Sequence, residues 1–493
     1  MKRLITPSPS GAASARERPW HRRAAALVLA LALAAVSAHF VLSGRARVRT
    51  ERDDGYLAAS RLSSLAEVLS DQRTFAYPLL LRAVRQLSPD YRALPHVQAA
   101  LFMAAVALLF AALVRSGLPP WTALAAALPL AASELLLPFA RLVHSDSPGA
   151  ALTIVAVACL VEALGRRRLL AWIALGLAVF LAYQVRPANL FLVPLVPLLA
   201  MVVPGASGGG SAGRLRWRPA AAALAACLLP LVLFAALRLA VVGHFGLVSF
   251  GGFNLVGVAG SMLSPEVVAA LPAEHRALGR AILDGRRERG LEPIGERSFP
   301  HATARMLAWY SEYNVNVWRI AGRAARRQAR AQAGPPEARS RPRLQREANR
   351  RLGGLALAVF RQRPDLYAAW VLHGARLGLS WSFGQVRGMG ASLALLALGA
   401  VATVGAAALA AGPARRAAAL ALARCAPLLA IGWGAFLAGL LLVVLVEPPL
   451  ERYLLAVALL LPSGFAALGW ELLAAAWAAA RMGRGERAAS IER

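Results

Sequence analysis

The sequence predicts an all-α, polytopic membrane protein with about ten transmembrane helices, and three observations carry that expectation. Hydrophobic residues make up 58% of the 493 positions and charged residues only 16%, well under the ~25% typical of a soluble domain. The apolar residues gather into uncharged runs of about 20 residues, the length that crosses ~30 Å of hydrocarbon as a helix. These runs are rich in Ala and Leu without period-two alternation, so the backbone groups they bring into lipid are satisfied within helices and not between barrel strands. Disordered, collagen-like and ordinary soluble chains are excluded.

Taken in order, residues 1–23 form a basic tail with Arg16, Arg18, Arg22 and Arg23. The run 24–43 imitates a signal peptide, but it is long enough to span and further spans follow, so it is expected to remain as the first helix. The other expected spans are 97–115, 119–138, 148–164, 169–185, 188–203, 219–242, 389–411, 425–446 and 453–480. With the N-terminus inside, Arg115, Arg166-Arg167-Arg168, Arg214, Arg216, Arg218 and Arg415-Arg416 all fall on the cytoplasmic side. So does the tail 481–493 with Arg481, Arg484 and Arg487. That is the positive-inside pattern repeated along the chain. It predicts cytoplasmic termini in a cytoplasmic (inner) membrane, and the Arg-for-Lys bias and Ala-rich helices suggest a high-GC bacterium.

The chain therefore divides into a transmembrane core 24–242 containing an outer loop 44–96, a large and partly helical outer loop 243–388, and C-terminal spans within 389–480. In the first loop, amphipathic helices are expected around 56–69 and 76–87, the second with Leu79, Leu80, Val84 and Leu87 at helical spacing. Residues 205–213 read as a Gly/Ser linker. Cys159, Cys227 and Cys425 lie in or beside apolar runs and read as small buried hydrophobes, not as a disulfide framework.

Basic residues outnumber acidic ones 55 to 25, a net charge of +30. A nucleic-acid-binding domain does not carry long uncharged apolar runs, so no nucleic-acid partner is expected. Half of the surplus reads as a topology signal. The rest lies in the two outer loops, where it suits anionic phospholipids.

Sidedness gathers the most chemically pointed residues onto the outer face: Asp53-Asp54-Gly55-Tyr56, His144-Ser145-Asp146-Ser147, Arg186 and Glu451-Arg452-Tyr453. Paired acidic and basic groups suit transfer from a phosphate-linked donor. A carboxylate removes the acceptor's proton, and arginine stabilises the leaving phosphate through its bidentate fork. Simpler roles fit the same residues singly. Ser145 or Asp146 before Ser147-Pro148 makes a helix cap, and a lone Arg at a helix end anchors to headgroups. Glu134 fits a pairing with Arg141 or a polar cavity, and Glu471 a structural role near the inner interface. Carboxylates also suit a divalent cation, but the oxygen-rich set of a dedicated Mg²⁺ or Ca²⁺ site is not legible. No cofactor is assigned, and a divalent cation stays open.

At these residues the sequence resembles the GT-C class of integral membrane glycosyltransferases, which includes protein O-mannosyltransferase-like and aminoarabinose-transferase-like enzymes. The resemblance runs over 20–205 and 447–480. It rests on the first helix followed by Asp53-Asp54-Gly55-Tyr56, on Tyr77-Pro78-Leu79-Leu80-Leu81 before the second helix, on His144-Ser145-Asp146-Ser147, on Arg186-Pro187, and on Arg452-Tyr453. Pro364-Asp365-Leu366-Tyr367 resembles the approach to the late helices.

The resemblance implies inverting transfer of a sugar from a polyprenyl-phosphate donor to a lipid, glycan or protein acceptor outside the membrane. It implies Asp53 or Asp54 as general base, and Tyr56, Tyr77, His144, Asp146, Arg186, Arg452 and Tyr453 around the substrate. Trp309, Tyr310, Tyr313 and Trp318 in the large loop suit either ring stacking on a sugar or an interfacial aromatic belt. A transporter or flippase for a lipid-linked or anionic substrate is the alternative, and a silent envelope scaffold a third.

Overall fold

The structure is a computed structural model describing residues 19–44, 46–49, 55–132, 137–166, 168–203, 215–294, 303–333, 341–388 and 413–491. The chain is 83% helical. Among the described residues there is no strand, only an isolated bridge between Arg49 and Leu142. The all-α membrane class expected from the sequence is thus what the fold shows.

Among the described residues, five helices are long and apolar enough to cross a membrane: α1 (Pro19–Leu42), α5 (Leu94–Arg115), α8 (Asp146–Arg166), α11 (Trp217–Val242), and the stretch Ala418–Val446 of α19 (Pro413–Val446). Shorter apolar helices occupy other expected spans: α6 (Pro120–Ala131), α9 (Leu169–Val185), and a 3-10 turn at Pro187–Phe191 leading into α10 (Leu192–Val202). The expected span 389–411 and the linker 205–213 lie outside the described residues. The expected span 453–480 is not one helix. It breaks into α20 (Glu451–Ala458) and α21 (Leu461–Ile491), because Pro462 has no N–H to give the preceding turn and its ring disfavours helical backbone just before it.

These helices pack around one apolar cluster that includes Phe102, Leu109, Ile154, Val179, Leu195, Phe436 and Leu460. Helix α8 sits at its centre, with 67% of its apolar window buried against 17% for α1 at the edge. Leu31 on α1 and Leu229 and Leu233 on α11 point outward at about 60% exposure, as lipid-facing side chains do.

The loop between α1 and α5 carries three short helices, α2 (Tyr56–Ala59), α3 (Leu65–Ser70) and α4 (Ala76–Leu87). The expected helix at 56–69 is therefore two. Ser64 starts the second with a reciprocal capping box to Glu67, which satisfies two orphan N–H groups and fixes a new N-terminus. Tyr56, Tyr77, Leu81, Val84, Leu94, Val143 and Val185 form a small core that seats this loop on the ends of α5, α8 and α9. Next to it α7 (Leu137–Ala140) leads into α8.

The described residues between 251 and 388 form a helical subdomain with its own core. It comprises α12 (Gly251–Ala259), α13 (Pro265–Ala270), α14 (Ala273–Arg287), α15 (Thr303–Asn314), α16 (Gly322–Gln332), α17 (Arg341–Gln362) and α18 (Pro364–Gly388). Phe253, Val256, Ile282, Trp309, Val317, Leu352 and Trp370 are buried together in it. A π-helical turn, Val315–Ala321, joins α15 to α16. Helices α12 and α17 cross at Gly252, where a Cβ would stand 2.0 Å from the Asn349 carbonyl oxygen. Gly252→Ala is accordingly expected to cost about 1–3 kcal/mol through overpacking, read as a lower midpoint of thermal unfolding. Gly353→Ala, whose Cβ would meet its neighbour at an ordinary 3.6 Å, is expected to leave the midpoint unchanged or raise it.

Candidate functional site

The site begins where α8 and α9 meet. The two run antiparallel, so the C-terminal end of α9 delivers Arg186 to the first turn of α8, which carries Asp146. Gly149 lets Arg186 lie across that turn, since a Cβ there would be 3.0 Å from the Cβ of Arg186. Asn189 donates to the Gly149 carbonyl at 3.0 Å and to the Ala182 carbonyl at 3.1 Å, which clamps the two helix ends together.

Arg186 and Asp146, 4% and 5% exposed, pair at 2.9 Å. His144 Nδ1 stands 3.5 Å from the other Asp146 oxygen. The carboxylate thus serves Arg186 and His144. Ser145 shares a hydrogen bond of 2.9 Å with the Tyr56 hydroxyl. Tyr56 is reached through Gly55, whose φ of +84° is left-handed backbone that suits glycine. Tyr77, fully buried, meets the Tyr56 ring edge-on at 4.8 Å.

From the far end of the sequence, the start of α20 brings Arg452 and Tyr453 to the same place. Arg186 donates to the Arg452 carbonyl at 3.3 Å. Arg452 donates to the Tyr453 hydroxyl at 2.9 Å and to the Tyr310 hydroxyl at 3.4 Å. Both guanidinium groups stand near the Tyr453 ring, at 4.9 Å for Arg452 and 5.5 Å for Arg186. The result is a cavity of about 250 Å³ walled by Tyr56, Arg73, Asp146, Arg186, Glu447, Arg452 and Tyr453, among others. Two of its wall atoms, Arg186 Nη1 and Thr74 Oγ1, are buried with no hydrogen-bond partner among the described residues. Buried polar atoms are nearly always paired, so these are capacity available to a ligand.

Of the residues expected from sequence, Tyr56, His144, Asp146, Arg186, Arg452 and Tyr453 are brought together and Tyr77 backs them. Asp53, Asp54 and Glu134 lie outside the described residues. The aromatics of the large loop do not offer a row of free faces. Trp309 and Tyr313 are each 4% exposed. Trp309 packs edge-on against Trp370 at 4.2 Å, and Trp318 stacks on Phe250 and Phe253. They build the subdomain core, because helical spacing turns them inward. Of the four, Tyr310 reaches the site residues, through its hydroxyl. Glu471, 8% exposed, is bonded by Thr122 and Arg424, the structural role expected of it.

Arg73, Glu447 and Asn254 were not anticipated. Arg73 lies 5.0 Å over Tyr56 and 5.7 Å over Phe250. Glu447 ends α19, where a carboxylate opposes the helix dipole. An acid just past an apolar run is the sequence signal that could have marked it. Burial, and after it the nearby Glu447 carboxylate, push the Tyr313 phenol well above its ordinary pKa. Among the described residues no group of three or more His, Cys, Asp or Glu is arranged to hold a metal ion.

No protein-family model, curated protein or solved structure matches the chain.

Proposed function

We propose that the chain is a membrane glycosyltransferase that moves a sugar from a polyprenyl-phosphate donor to an envelope acceptor on the outer face of a bacterial inner membrane, with inversion. The observation that carries this reading is the convergence of Tyr56, Asp146, Arg186 and Arg452, drawn from across the sequence, around one cavity at the end of the helix bundle. That end is the N-terminal end of α8, opposite Arg166 at its C-terminal end. On this reading the chain crosses about ten times with both termini cytoplasmic.

The chemistry follows from the charges. The acceptor hydroxyl attacks the anomeric carbon as the bond from that carbon to the phosphate oxygen breaks. Asp53 or Asp54 takes the hydroxyl proton, and polyprenyl phosphate leaves with the electron pair. Asp54 is two peptide links from Tyr56, so covalent length alone keeps their Cα atoms within about 7.6 Å. Arg186 and Arg452 balance the leaving phosphate, where preorganised charge acts in a site shielded from water. The open donor on Arg186 Nη1 suits a phosphate oxygen. Access for the lipid tail explains why the enzyme is a membrane protein.

Transport has less support, because a translocation path needs polar groups near mid-membrane and the cavity's charges sit at one end. Mass spectrometry of envelope glycolipids and glycoproteins from a strain lacking the chain is expected to show one missing sugar modification and accumulation of its polyprenyl-phosphate donor. An unchanged glycan profile would contradict the reading.

A further inference from the structure

Beside the cavity, three arginines and a histidine from two separate stretches of the chain gather with no carboxylate paired to them. Arg238, near the C-terminal end of α11 and 1% exposed, spends its donors on the chain itself. Nε bonds the Leu69 carbonyl at 2.9 Å, Nη2 the Ser249 hydroxyl at 2.9 Å, and Nη1 the Gly246 carbonyl. His244 stands on the same turn: a Cβ on Gly246 would lie 3.4 Å from His244 Nε2 and 3.8 Å from Arg238 Nη1. Arg346, on α17, reaches over to donate to Ser70 Oγ at 2.9 Å. Arg343 precedes it by one turn and is exposed.

The acids nearest in sequence are engaged elsewhere: Glu347, next to Arg346, pairs with Arg350 and Arg351 at 2.7 Å, and Asp71 turns its Oδ1 to the Arg73 backbone N–H at 2.7 Å. Among the described residues Arg238, His244, Arg343 and Arg346 have no ion-pair partner. Their mutual repulsion shows in His244, whose pKa is pushed down by burial and by Arg238 and Arg346, and in Arg346, pushed down by burial and by Arg343. The N-terminus of α17 adds its positive dipole end to the same spot. Gathered like charges of this kind are relieved by a bound anion, and an arginine fork beside an imidazole N–H fits the oxygens of a phosphate.

The position selects the kind of ligand. The candidate span of α11 ends at Val242, and the exposed apolar side chains Phe245 and Leu65, 58% and 57% exposed, flank the cluster. We propose that His244, Arg343 and Arg346 bind the phosphate of an anionic ligand at the membrane boundary, with Arg238 holding the backbone beneath it. This second site does not depend on the transfer chemistry proposed above. Val248 and Phe250, from the same loop as His244, line the cavity, so an occupied site would also brace the cavity wall.

The test is native mass spectrometry of the full-length protein released from nanodiscs of phosphatidylcholine with or without phosphatidylglycerol. The wild type is expected to retain phosphatidylglycerol selectively, and inorganic phosphate to displace it. Arg343→Gln, at an exposed position, is expected to weaken retention about fivefold, and Arg343→Gln with Arg346→Gln about 30-fold, following the usual worth of each cation near an anionic surface. Arg330→Gln, exposed on α16, should change nothing. Phosphate binding without lipid retention, lost in the double variant, would support the site and assign it to a soluble phosphate compound. Equal retention in wild type, Arg343→Gln and the double variant would overturn it.

Discussion

Replacing Asp53 and Asp54 together by asparagine is expected to abolish sugar transfer while the chain still inserts and folds. A positioned general base contributes about 10²–10⁴-fold, and asparagine keeps the size and polarity of the side chain while removing its ability to take a proton. The single variants assign the base, because one should retain most activity and the other almost none. The folded cavity should persist in both, since its walls are set by Arg186 with Asp146, Tyr56 with Ser145, and Arg452 with Tyr453. Transfer at the wild-type rate in the double variant would remove the proposed base, and inactivity accompanied by loss of folded protein would assign these aspartates a structural role.

The second large effect is on stability. Arg186→Gln leaves the Asp146 carboxylate buried with His144 Nδ1, 3.5 Å away, as its remaining close partner. Breaking one side of a buried ion pair costs about 3–5 kcal/mol, whereas removing both charges costs far less. Asp146→Asn with Arg186→Gln should therefore be more stable than Arg186→Gln alone, yet as inactive, since the donor aimed at the leaving phosphate is gone. Thermal unfolding of the purified chain measures this. Additive losses in the double variant would mean that the two charges do not depend on each other.

Much of this arrangement is legible in the sequence, for physical reasons that differ between parts. The spans can be read because a backbone in lipid must pair its own polar groups, which demands long apolar helices. The arginines of the short loops carry the expected sidedness. The break before Pro462 depends on one residue that composition averages away. The core of the large loop was hidden by its arginines. Along α16 the buried residues are Gly322, Ala324, Ala325 and Ala329, small residues on a helix whose opposite face carries Arg323, Arg327 and Arg330. A scan for large hydrophobes passes over such a face.

The site divides in the same way. His144, Asp146, Arg186 and Arg452 stand out because charged groups at the ends of apolar helices need partners. Arg73 lies in a loop between two amphipathic helices, where an arginine attracts no notice until its position over Tyr56 is known. Arg238 is similar. Inside an apolar helix it draws no notice in the sequence, and only the fold shows Leu69, Gly246 and Ser249 taking its donors. Convergence of several modest signals on one face carried the sequence reading, and the cavity they share is its physical counterpart.

The most direct test of the central claim uses the purified full-length protein in nanodiscs, supplied with polyprenyl-phosphate sugars from its own envelope lipids. Mass spectrometry follows the release of free polyprenyl phosphate. The account predicts release by the wild type in the presence of an acceptor, and loss of release in Asp53→Asn with Asp54→Asn. Donor that crosses the bilayer intact, with its sugar still attached and no polyprenyl phosphate formed, would contradict it and make the chain a transporter.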